Sequence, residues 1–88
     1  MDVEVVHAKN PLAGWDIHVT AVAADGETIT FARIDVNGFP EWNQTISPPL
    51  KKWQKTLSQQ GVYPGGNKVL VTVVNDKGDQ TRDEDDWG

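Results

Sequence analysis

The chain has no cysteine among its 88 residues, so neither a disulfide framework nor a thiolate zinc site can supplement its core. Histidine is scarce, with only His7 and His18, and they lie in no metal-type spacing such as a pair one helical turn apart. No apolar run approaches the length of a membrane span. The opening Met1-Asp2-Val3-Glu4 has neither the basic head nor the apolar stretch of a secretion signal, so the chain is either cytosolic or, the reading we favour, a domain cut from a longer protein. Cysteine absence does not assign a compartment.

Basic residues are also few, eight against thirteen acids, for a net charge of −5. The charge is uneven. From Asp76 to Gly88 six acids face only Lys77 and Arg82, while the rest of the chain is close to neutral. An acidic end on a near-neutral body repels phosphate, which argues against nucleic acid as partner and against anionic membrane surfaces. A chain of this length makes one domain, burying about 60–65% of its unfolded surface.

What is present is a series of short alternating apolar runs punctuated by Gly, Asn and Pro. Val3–Ala8 is a first strand candidate, broken by Asn10-Pro11-Leu12-Ala13-Gly14. Trp15, Ile17, Val19, Ala21 and Ala23 share one face of a second, with Asp16, His18 and Thr20 on the other. Ala24-Asp25-Gly26-Glu27 is a turn with a strong hairpin signal. The run Thr28–Val36 changes phase, which predicts a β-bulge near Phe31–Ala32, and Asn37-Gly38 closes it. Phe39–Ile46 reads as a short edge strand limited by Pro40.

The period then changes. Ser47-Pro48-Pro49 resembles a helix start, Leu50, Trp53 and Leu57 follow at helical spacing, and Gly61 suits the position past a helix end. These features predict one short helix over about 48–60, with Trp53 pinning it to the sheet. Lys68–Val74 resumes strict alternation, with Val69, Val71 and Val73 inward. Asn75–Asp79 is a hairpin loop, a last strand begins near Gln80, and like charges crowd residues 83–88, which read as a disordered acidic tail after a 1–82 domain.

Two stretches carry a resemblance: VTAVAADGETITFARIDVNG at 19–38 and YPGGNKVLVTVVNDKGDQT at 63–81. Together they resemble the bacterial immunoglobulin-like (Ig-like or fibronectin-like) domains of modular surface and secreted proteins. The resemblance implies a mainly β, immunoglobulin-like sandwich of six to seven strands. It also implies a non-enzymatic module of a larger extracellular or cell-surface protein, a spacer or adhesion unit that is monomeric and contacts neighbouring domains. The helical insert departs from the pattern and leaves a β-grasp-like α+β arrangement open.

Candidate chemistry is thin. Ser47 and Ser58 are explained as a helix cap and a helix-surface residue, and neither a Gly-x-Ser-x-Gly elbow nor a phosphate-cradling loop is present, so no catalytic role is assigned. Asp76, Asp79, Asp83 and Asp85 could converge on calcium, which takes several oxygen ligands, although the spacing is not that of a helix–loop–helix calcium site. Calcium is the only cofactor the sequence suggests. Trp15 and Trp53 fall on apolar faces, whereas Trp42 and Trp87 lie in polar surroundings and are candidate platforms for a glycan. A ligand-binding module, through calcium or through these two rings, is the competing reading.

Overall fold

The computed structural model describes residues 1–61, 63 and 65–88. Its elements are seven strands: β1 (Asp2–Lys9), β2 (Trp15–Val22), β3 (Ile29–Val36), β4 (Phe39–Leu50), β5 (Lys52–Gln60), β6 (Asn67–Asn75) and β7 (Gln80–Trp87). They form two antiparallel sheets, ordered β1-β2-β5 and β4-β3-β6-β7. The fold is a mainly β sandwich. Between the facing sheets lie Val5, Ile17, Val19 and Ala21 from one side and Ile29, Ala32, Ile34, Val36, Val69, Val71 and Val73 from the other.

The alternation read from the sequence places these side chains. In β2 the buried positions are Ile17, Val19 and Ala21, and in β6 they run Asn67, Val69, Val71, Val73, Asn75. Two buried asparagines thus bracket the central strand, and both are satisfied. Asn75 Oδ1 accepts the N–H groups of Lys77 and Asp79, each at 2.9 Å, shaping the β6–β7 hairpin. Asn67 donates to the Tyr63 carbonyl at 3.0 Å and accepts from Asn37 at 3.0 Å. Left unpaired, each such buried group would cost about 1–3 kcal/mol.

The phase change in β3 is a register shift between Ile29 and Phe31, immediately before the position the sequence suggests. At that shift the Thr30 hydroxyl lies 3.2 Å from the Val74 carbonyl and 3.1 Å from that of Asn75. Asn37 and Gly38 both take positive φ, 52° and 83°, as a two-residue hairpin between β3 and β4 requires. The Asp25-Gly26 turn makes no hairpin. Its flanking strands, β2 and β3, belong to different sheets, so it is a crossover.

Two expectations need correction. The helix predicted over 48–60 is the end of β4 followed by β5, and no helix occurs among the described residues, which removes the β-grasp arrangement. Ser47, Pro48 and Pro49 lie in β4, whose outer edge has no strand partner and therefore tolerates residues lacking an N–H. The residues Trp53, Lys55 and Leu57 alternate inward along β5. The tail expected from residue 83 is likewise strand: β7 runs to Trp87 and pairs with β6 along its length, from Val74↔Gln80 to Asn67↔Trp87.

Candidate functional site

The chain ends occupy opposite poles of a body measuring 42 × 21 × 18 Å. The Met1 amine lies 3.8 Å from Glu27, at the pole formed by the 23–28 and 75–79 turns. Those turns are joined by the Thr28 N–H to Asp76 bond at 2.9 Å and by the Asp76 N–H to the Thr28 carbonyl at 3.0 Å. Gly88 packs beside Gly66 at the other pole, where the Asn10–Gly14 and Asn37–Gly38 turns also lie.

Between the poles, β1 and β7 run side by side at the margins of their separate sheets. The Val5 N–H donates to Asp83 Oδ2 at 3.0 Å, and His7 Nδ1 meets Asp85 Oδ2 at 2.5 Å. Both contacts advance by two residues along each strand, so the strands are parallel, and side-chain carboxylates do what a backbone ladder would otherwise do. The His7 ring is stacked on Trp87 at 5.4 Å and meets Trp15 edge-on at 5.4 Å. An Asp–His pair in an aromatic recess can relay a proton or fix an imidazole, but its geometry here joins the two sheets.

The opposite seam, between β4 and β5, is closed by a Trp42–Trp53 stack, 5.4 Å between centroids, with the Lys55 ammonium 5.2 Å over the Trp42 ring. Charges pointing inward at a sheet margin discourage pairing with another strand. Asp83 and Asp85 do this on one side and Lys55 on the other.

The residues singled out in the sequence separate accordingly. Asp76 and Asp79 belong to the hairpin at the N-terminal pole, while Asp85 lies six residues on, about 20 Å along an extended strand. Asp83 and Asp85 are already engaged by Val5 and His7. Among the described residues no three His, Cys, Asp or Glu side chains converge as metal ligands. The Thr28 N–H holds the Asp76 carboxyl below the usual carboxylate range, in opposition to partial desolvation. The Asn10 amide, and after it the Gln59 N–H, does the same for Asp16.

Trp87 is no platform: it is only 7% exposed, because it caps the end of the sandwich against Gly61. A Cβ at Gly61, which has a φ of 62°, would overlap the Trp87 ring. Trp42 is half-buried in its stack. Trp53, expected as a core anchor, is also half-buried at the seam. His18 bonds the Thr56 hydroxyl at 3.1 Å on the exposed face of its sheet.

The exposed aromatics are ones the sequence reading passed over, Phe39 at 62% and Tyr63 at 59%. Both line a hollow of about 210 Å³ at the C-terminal pole, with Asn37, Glu41, Gln59 and Gln60. Each sits beside turn residues, Gly38 for one and Gly61 and Gly65 for the other, and that is the one sequence signal that could have marked them. Comparison of the chain with protein-family models, with curated proteins and with solved structures gives no match.

Proposed function

We propose that the chain is a non-catalytic, Ig-like module of a larger extracellular or cell-surface protein, set in series with neighbouring domains as a spacer or adhesion unit. The observation that carries this reading is the placement of Met1 and Gly88 at opposite ends of the body, Met1 beside Glu27 where parallel β1 and β7 begin and Gly88 beside Gly66 where they end. A module entered at one pole and left at the other extends a chain by its full length, whereas ends on the same pole would make it a side branch. The sealed margins add support, since a sandwich that discourages edge pairing stays monomeric when many copies crowd a surface. The three-plus-four strand arrangement fits the sandwich that the resemblance implies, with β4 on the β3-β6-β7 sheet rather than beside β5. The extracellular setting rests on the resemblance of residues 19–38 and 63–81. The calcium reading draws no support from the four aspartates, which lie apart or are engaged within the fold.

The test is a chain of two copies joined from Gly88 to Met1, measured by small-angle X-ray scattering. A spacer predicts that the largest dimension grows by close to one 42 Å body length. A pair that folds back side by side, with the largest dimension little changed, contradicts it.

A further inference from the structure

The hollow at the C-terminal pole combines two exposed rings with a re-aimed stretch of backbone. Phe39 and Tyr63 expose more than half of their surface on its rim. On the same rim Gln59 holds a φ of 59°, a left-handed conformation uncommon for a residue other than glycine. That conformation is fixed from below. The Gln59 N–H donates to Asp16 Oδ1 at 3.2 Å, and the same oxygen accepts the Asn10 amide at 2.7 Å. The 10–14 turn packs closely on this segment, since a Cβ at Gly14 would meet the Gln60 carbonyl at 2.8 Å. Gln59 lies where β5 bulges against β2, between the Trp15↔Gln60 and Ile17↔Leu57 pairs, and a bulge of this kind re-aims the side chains beside it toward the rim.

The chemistry of the lining is specific. Two flat apolar faces stand beside a primary amide at Gln59, a second at Gln60, and a carboxylate at Glu41. Aromatic faces pack against the C–H faces of a sugar ring, while amides and carboxylates donate to and accept from its hydroxyls. At about 210 Å³ the hollow is smaller than the roughly 300–1,000 Å³ sites that hold drug-sized ligands, which suits one ring. The lining contains a carboxylate and the chain carries a net charge of −5, which disfavours anionic sugars.

We propose that this hollow binds a single neutral pyranose unit of a glycan, with Phe39 and Tyr63 as stacking faces and Glu41 and Gln59 as hydroxyl partners. The site is independent of the spacer reading, and would make the C-terminal pole an adhesive end. It replaces Trp42 and Trp87, which are engaged within the fold.

The experiment is a titration of the isotopically labelled protein, followed by amide shifts, with cellotetraose and separately with triacetylchitotriose. Saturable shifts confined to 37–41 and 59–63 with either sugar are expected. The double variant Phe39→Ala, Tyr63→Ala should weaken binding by about tenfold or more while its melting temperature holds. Should that variant fail to fold, Glu41→Gln gives the same readout from an exposed position. The proposal is overturned if neither sugar shifts these amides, or if shifts fall elsewhere. It is equally overturned if the same amides move with protein concentration in the absence of sugar, which would assign the pole to self-association.

Discussion

Asp83 Oδ2 accepts the Val5 N–H across the gap between the two sheets at 3.0 Å, joining residues 78 positions apart. Because β1 has β2 on one side only, this carboxylate satisfies a donor that would otherwise face an acidic strand unpaired. Asp83→Ala removes the acceptor while leaving the donor partly buried. A loss of about 1–3 kcal/mol is expected in urea denaturation. Asp83→Asn, which keeps an acceptor oxygen, should lose less. Equal and negligible effects from both would mean that the seam is closed by packing alone.

Acid should weaken the fold through two carboxylates. Asp76 and Asp16 have folded pKa values below the ordinary range, set chiefly by the Thr28 N–H and by the Asn10 amide. A depressed folded pKa contributes stability above the unfolded value of about 3.9, and that contribution disappears as pH falls through the folded one. Melting temperature should therefore decline below about pH 4. Asp76→Asn, which can still accept from Thr28, should flatten that decline, as read in thermal melts across pH.

Trp53 should matter, through its stack on Trp42. Trp53→Ala removes a half-buried ring and the 5.4 Å stacking partner, and should cost about 3 kcal/mol, the low end for tryptophan truncation. The corresponding loss for Trp42→Ala should be non-additive with it, by about 0.5–1.5 kcal/mol in a double-mutant cycle.

Much of this architecture was legible in the chain. Ile17-Val19-Ala21 and Val69-Val71-Val73 alternate without interruption, and the β3 phase change announces its register shift. The β5 strand was hidden by ambiguity of period. Leu50, Trp53 and Leu57 satisfy helical spacing, while the true inward set, Trp53-Lys55-Leu57, has a lysine at its centre. That lysine is inward because the Trp42 ring, on another strand, receives its ammonium. β7 was hidden for a similar reason. Asp83 and Asp85 look repulsive in sequence, and their partners Val5 and His7 come from the far end of the chain. Trp87 follows four acids and still packs inward, because Gly61 leaves room for its ring. Local pattern cannot display such non-local partners, and the exposed rings of Phe39 and Tyr63 carry no periodic signal.

Calcium should have no specific effect. Its four proposed ligands are split between the 75–79 hairpin and the β1–β7 seam. Millimolar calcium should change the melting temperature no more than sodium chloride of equal ionic strength. A calcium-specific rise, abolished by Asp83→Asn with Asp85→Asn, would show that those carboxylates bind an ion in preference to their β1 partners.

The placement of the two chain ends is the most direct point of test. The absence of cysteine allows one to be introduced at each end, Asp2→Cys and Gly88→Cys, for paired spin labels and a pulsed dipolar distance measurement. A module that passes its chain from pole to pole predicts one narrow distribution near about 25–30 Å, because the contacts between parallel β1 and β7 set Asp2 level with Gln80, eight residues short of Gly88. A distribution centred near about 10 Å, the spacing of facing sheets, would put both ends at one pole and contradict the serial arrangement.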